Sequence, residues 1–307
     1  MPPPDSPATP RPAATVVLLR DGPAGLEVFL QHRVRAMAFA PNVHVFPGGG
    51  VDDRDRVNGI GWAGPPASWW AGRMGRPEEL ATAAVCAAVR ETFEECGVLL
   101  AGPAPDDGAS GPDGARPRPV EMAAARAELV DGRGSLADVL TARGWVLRAD
   151  LLRPWANWIT PEGRTRRYDT MFFVAGLPDG QRADADNSEV SSAGWRRPAD
   201  ALADWKADRI ELLPPTWVTL EQLTEQPDVA AALGASDTRT ITPLIPKVRR
   251  EGDRLVVTLP GEPGYARAAG QLRPRPTAPD SGEDTVPAAG LLANRPSHPV
   301  YEKARPV

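Results

Sequence analysis

Cysteine is almost missing from this chain of 307 residues: it has two, Cys86 and Cys96. Both fall in one predicted helix, ten positions apart, too far for a disulfide within it, so a reducing, cytoplasmic setting is expected. Histidine is nearly as scarce, with His32, His44 and His298 and no HExxH pair, which argues against a zinc site. The formal net charge is −5 and no basic run occurs, so no nucleic-acid partner is expected. The longest apolar stretch, ATAAVCAAV, is far too short to cross a bilayer, so no membrane role is expected. The start, MPPPDSPATPRPAA, lacks the apolar segment of a signal peptide, and the closing ARPV matches no address tripeptide. Walker A and nucleophile-elbow patterns are absent, as are internal repeats.

Proline and glycine are abundant instead, 35 and 29 residues, about a fifth of the chain. They mark a Pro-rich leader over 1–13, expected to be disordered, and an extended tail over 266–307. Between them, ATVVLLR and LEVFLQHR read as strands joined at DGPAG, and HVFPGGG as a short strand entering a glycine turn. The spacing predicts a helix over 77–96, Ala-rich, acidic at its start and stopped by Gly97, with Val85, Val89, Thr92 and Cys96 as its buried stripe. Residues 103–118 read as a loop, 119–145 as a helical insertion, and WANWIT, YDTMFFVAGL and EVSSAGWRR as strands. Helices are predicted at PADALADWKA and PTWVTLEQLTEQ, and a hairpin turning at REGD. Strands alternating with helices point to an α/β or α+β domain over 14–265.

The segment VRETFEECGV, 89–98, places three carboxylates together. With Glu91 at zero degrees, Glu94 and Glu95 fall at about −60° and +40°, one face roughly 100° wide. Like charges so placed repel; a hard divalent cation, Mg²⁺ or Mn²⁺, would reverse that. The alternative is a solvated acidic face with Arg90 paired to Glu94.

The order FPGG, then Asp55 six positions after Gly49, then Arg90, Glu91, Glu94, Glu95, Gly97 and Val98 resembles the signature of the Nudix hydrolases. That signature reads G, five residues, E, seven residues, R-E-U-x-E-E-x-G-U, with U bulky and aliphatic. Two departures stand out. Thr92 occupies a U position, and 34 residues rather than seven separate Asp55 from Arg90, an insertion over 56–82. An interrupted box with intact glutamates resembles the branch of peroxisomal coenzyme A and acyl-CoA diphosphatases. Arg33, with Phe46 thirteen positions on, matches the spacing of that branch's upstream pattern, although Ala38 and Asn42 replace its second arginine and its glycine.

The resemblance implies a Nudix-type α/β/α sandwich with a mixed sheet, and hydrolysis of a diphosphate linkage in a small-molecule nucleotide derivative, coenzyme A or acyl-CoA first. ADP-ribose or a dinucleotide is the alternative substrate, and a Nudix-fold ligand-binding module that no longer cleaves is the third reading. It implies Glu91, Glu94 and Glu95 as metal ligands, Glu95 with base character, Arg90 as their organiser and Glu189 as a late catalytic acid. Gly48, Gly49, Arg33, Arg166 and Arg167 are the expected substrate-binding residues. Trp155, Trp158, Trp195 and Trp217 are expected in the core or at an interface. The insertion, GIGWAGPPASWW with Trp62, Trp69 and Trp70, reads as a loop. It is expected to wall the cleft or to pack across a homodimer interface, with a passive surface excursion as the alternative.

Overall fold

The computed structural model describes residues 8–33, 42–56, 59–104, 117–184, 190–251, 254–262 and 265, with strands at 294–296 and 301–302. Two strands open the chain, β1 (Arg11–Gly22) and β2 (Gly25–Arg33), an antiparallel hairpin in register Leu19↔Val28. Short strands β3 (His44–Val45) and β4 (Gly48–Gly50) lie against β2 and β1, with Thr15↔Gly48 and Ala13↔Gly50. The box insertion holds β5 (Trp62–Ala63) and α1 (Ala67–Met74), and leads to the long α2 (Glu78–Cys96). Then come β6 (Ala101–Gly102), α3 (Pro119–Val130), α4 (Leu136–Thr141) and β7 (Val146–Arg148). Next are β8 (Leu152–Ile159), β9 (Tyr168–Gly176), β10 (Val190–Arg196), α5 (Pro198–Lys206), α6 (Pro214–Leu223) and α7 (Val229–Asp237). Closing the chain are β11 (Pro243–Leu244), β12 (Lys247–Glu251), β13 (Arg254–Thr258), β14 (Asn294–Pro296) and β15 (Tyr301–Glu302).

The main sheet runs β10-β2-β1-β9-β8-β11, and it is mixed: β1 pairs parallel to β9 from Arg11↔Tyr168 to Leu19↔Gly176, while β8 and β9 pair antiparallel. Its central strands are buried on both faces, so alternate residues feed two cores. Val16, Leu18, Met171 and Phe173 pack under α2, while Val17, Leu19, Phe172 and Val174 pack against α5 and α6. This is the expected sandwich, a sheet between helical layers. The buried stripe of α2 is also as expected, with Val85, Val89, Thr92 and Cys96 all fully buried. Trp155, Trp158 and Trp217 are core residues, while Trp195 is only half-buried.

Three expectations are corrected. The box insertion is not a loop: it contributes a strand and the helix α1, with Trp70 fully buried and its ring edge-on to Phe173 at 6.0 Å. Nor does it stand apart, because β5 pairs in parallel with β7, just beyond the second insertion, and β7 pairs in turn with β6 just beyond α2. The leader is ordered from Ala8 onward, since β1 starts at Arg11 and the Ala8 carbonyl accepts from Arg167 Nη1 at 2.9 Å. The tail returns to the fold, with β15 pairing to β13 at Val257↔Tyr301. The loop expected over 103–118 lies largely outside the described residues.

Candidate active site

The site is built where the C-terminal end of α2 meets the glycine turn of β4. Gly97 ends α2 with φ of 70°, a conformation glycine adopts without cost, and its N–H donates to the Phe93 carbonyl. Three half-buried carboxylates, Glu91, Glu94 and Glu95, therefore share the last turns of one helix.

Gly48 and Gly49 receive them. The Gly48 N–H donates to Glu95 Oε2 at 2.9 Å. A methyl group at Gly49 would lie 2.5 Å from the Glu91 carboxyl carbon, so this glycine makes room for that side chain. At Gly48, where φ is +156°, a methyl group would lie 2.4 Å from the Ala14 carbonyl oxygen. Close approach thus selects both glycines, of a side chain at Gly49 and of the paired strand's backbone at Gly48.

Arg90 ties these parts together. Buried beneath the carboxylates, it forks onto Asp55, with Nε to Oδ1 at 2.8 Å and Nη2 to Oδ2 at 2.9 Å. It also donates to Glu91 Oε1 at 2.8 Å, to Glu94 Oε2 at 3.4 Å and to the Gly50 carbonyl at 2.9 Å. Asp55 is 2 % exposed at the end of a 3-10 turn, Asp53–Asp55, and accepts the Asp52 N–H at 2.8 Å. It therefore stands where the resemblance wants the first acid of the box, even though the chain departs for α1 before returning. Burial disfavours the Arg90 cation, but its bonds to Asp55 and the charges of Glu91 and Glu94 outweigh this and hold it above its usual range.

One guanidinium faces three carboxylates here, Asp55, Glu91 and Glu94, and the surplus shows in the proton affinities. Burial pushes the Glu91 carboxyl up to about 7; Arg90 pulls it down and Glu94 pushes it up further. Burial likewise raises Glu94, against the pull of Arg90. Among the described residues no group of three or more His, Cys, Asp or Glu side chains is arranged so that it could hold a metal ion as it stands. The donor set nevertheless fits a hard divalent cation: oxygen ligands only, half-buried, in negative surplus, with substrate and water left to complete the shell.

The remaining expected residues are placed unevenly. Arg33 ends β2 opposite Val190 and shares a strand face with Gln31, whose amide reaches the Glu95 carbonyl at 3.5 Å. Arg166 is exposed in the β8–β9 connection, at the end of the sheet where β9 flanks the start of β1. Arg167 is buried, and its guanidinium donates to the carbonyls of Thr160 at 3.0 Å and Ala8 at 2.9 Å. That engagement braces the connection against the first strand. Glu189 lies outside the described residues. Sequence reasoning missed Gln31, Gly50 and Arg126, all of which touch this end of α2 or its arginine. Alternation along β2 could have flagged Gln31 as a buried polar residue; nothing local marks Arg126.

Comparison with known proteins agrees with this geometry. Residues 72–223 match the family model described as the NUDT19 Nudix domain. The acyl-coenzyme A diphosphatase NUDT19 of Gallus gallus is 31% identical over 237 residues, 66% of this chain and 62% of that protein. The chain thus spans less than two thirds of the length of that relative. The protein of the same name from Xenopus laevis is 28% identical over 78% of this chain and 71% of its own length. Among solved structures, a NUDIX hydrolase from Alicyclobacillus acidocaldarius superposes with a TM-score of 0.58 at 28% identity, covering 74% of this chain and 96% of that one. The glycine turn, the Arg90–Asp55 fork, the three glutamates and these likenesses together make the chain a member of the Nudix hydrolase superfamily.

Proposed function

We propose that the protein hydrolyses a diphosphate linkage in coenzyme A or an acyl-CoA, using Mg²⁺ or Mn²⁺ bound by Glu91, Glu94 and Glu95. The observation that carries this is the gathering of three carboxylates at one helix end, against a glycine turn, with a single buried arginine to offset them. The similarity to relatives named acyl-coenzyme A diphosphatase supports the substrate class. The two buried free thiols suit a reducing compartment such as the cytoplasm. Among the described residues no helix is long and apolar enough to cross a membrane.

A bound divalent cation would supply charge neutralisation at the diphosphate oxygens and a more acidic water. The chain's own residues do the rest. The Gly48 N–H donates to Glu95 Oε2 and so fixes the direction of the carboxylate that would accept the proton of the attacking water. Arg90 holds Glu91 and Glu94 in place, and the Asp55 fork keeps Arg90 from swinging toward substrate. Arg33 and Arg166 are the arginines we assign to substrate phosphates.

The test is phosphatase-coupled phosphate release with Mg²⁺ or Mn²⁺ across coenzyme A, acyl-CoA, ADP-ribose and dinucleotides. Coenzyme A or acyl-CoA should be turned over fastest. Glu94→Gln and Glu95→Gln should each lower kcat by about a hundredfold or more, as expected when a metal ligand or the proton acceptor is lost. Activity near that of the parent in both variants rules out this site, and a preference for ADP-ribose overturns the substrate.

A further inference from the structure

The last four carbonyls of an α-helix have no partner within it and must find one elsewhere. In α2 all four do. Phe93 O accepts the Gly97 N–H at 3.0 Å, and Cys96 O accepts the Asp184 N–H at 3.0 Å. Glu95 O takes the Gln31 amide at 3.5 Å, and Glu94 O takes Arg126 Nε at 3.1 Å. Arg126 is the one cation in this set, and it comes from α3, inside the second insertion.

Its position is specific. The negative end of the helix dipole and three carboxylates coincide here, an arrangement that repels itself unless a cation sits at the helix terminus. Arg126 provides that cation, 16% exposed at its side chain, while Nη1 binds both Asp184 oxygens at 2.8 and 3.1 Å. A methyl group at Gly97 would lie 3.1 Å from Arg126 Nη1 and 3.0 Å from Asp184 Oδ2, so the ion pair fills the space that the helix-ending glycine leaves. The same guanidinium therefore reaches the peptide of Glu94, the turn at Gly97 and the segment entering at Asp184.

We infer that Arg126 is a positioning residue for the metal-binding carboxylates: by bridging the Glu94 carbonyl and Asp184, it fixes the last turn of α2 and with it the directions of Glu94 and Glu95. The inserted α3 is thus part of the catalytic apparatus without touching substrate. This rests on the proposed function, since it takes those carboxylates to be cation ligands.

The experiment is a Mn²⁺ titration read by electron paramagnetic resonance, run beside steady-state kinetics at saturating Mn²⁺, on the parent, Arg126→Met and Arg126→Lys. Groups that orient a ligand without binding the metal are worth about ten- to a hundredfold in affinity. Arg126→Met should therefore raise the Mn²⁺ dissociation constant about tenfold and lower kcat by a similar factor, with KM changing less than about threefold. Arg126→Lys keeps the charge and loses the fork, so it should recover only part of both. A folded Arg126→Met protein with Mn²⁺ affinity and kcat within about twofold of the parent overturns the inference. Should Arg126→Met not fold, Asp184→Asn releases the outer half of the bridge: a weakened Mn²⁺ isotherm supports the inference, and an unchanged one overturns it. A parent that binds Mn²⁺ but cleaves none of the diphosphates defeats the proposed substrate reading, while the isotherms still decide the role of Arg126.

Discussion

Gly49 is a position where one methyl group decides between room and collision. Its backbone is not in a region that favours glycine, so alanine there is tolerated conformationally; what the methyl group meets, 2.5 Å away, is the Glu91 carboxyl. A side-chain carboxylate can swing aside, so the fold should survive while the ligand is displaced. Gly49→Ala should then lower kcat by about a hundredfold, the cost of an ångström-scale misplacement, with a melting temperature within a few degrees of the parent. Gly48→Ala should behave differently, because its methyl group meets the Ala14 carbonyl of the paired strand, and backbone cannot give way. A loss of folding in Gly49→Ala, or full activity in it, contradicts the assignment. The glutamates were legible in the sequence because charge at helical spacing is a local pattern. The bracing contact of Arg167 was illegible for the opposite reason: its carbonyl partner on Ala8 is 159 residues away, and no local pattern reports that. Arg126 was illegible on the same grounds.

At the scale of elements, the strands and the long helix α2 could be read from periodicity, and the insertion could not. GIGWAGPPASWW carries the composition of a turn, yet Pro66 precedes α1 and Gly75, at φ of 61°, ends it, so the punctuation of a helix was present. What hid α1 is that its anchoring residues, Trp70 and Met74, bury themselves against α2 and the sheet, a tertiary gain that propensity does not register. Likewise β5 and β7 are too short to announce themselves and exist because each supplies the other's hydrogen bonds, as in Leu147 N–H to the Gly61 carbonyl at 2.8 Å. Trp70→Ala discriminates a core element from a surface excursion. Removing a fully buried indole should cost about 3–5 kcal/mol in urea denaturation, whereas a solvent-facing loop residue would cost within about 0.5 kcal/mol.

For the whole molecule, two buried titrating groups pull stability in opposite directions with pH. Glu91 is raised to about 7 from an unfolded value near 4.5, so between those limits the folded state holds a proton that the unfolded chain has lost, and stability rises as pH falls. His44 stacks on His32 at 4.6 Å, with Nδ1 buried and making no hydrogen bond; burial first, then the charge of His32, lowers it to about 4. Between pH 6.5 and 4 the unfolded chain takes a proton that folded His44 refuses, so stability falls as pH falls. Each contributes about 1–2 kcal/mol between pH 7.5 and 5, allowing for the part of each group that water still reaches. In chelator these two contributions largely cancel across that window. Saturating Mn²⁺ keeps Glu91 ionised, which removes its acid-side gain and leaves the His44 loss, while protons also compete with the cation. The cation-bound protein should therefore lose stability on acidification more steeply than the cation-free protein, by about 1–2 kcal/mol from this source, on top of the loss of bound metal. Urea denaturation at pH 7.5, 6 and 5, with and without Mn²⁺, measures both slopes. His44→Gln in chelator isolates the carboxylate: its stability should rise as pH falls from 7.5 to 5, and a fall there would show that Glu91 does not carry the burial on which its place in the site depends.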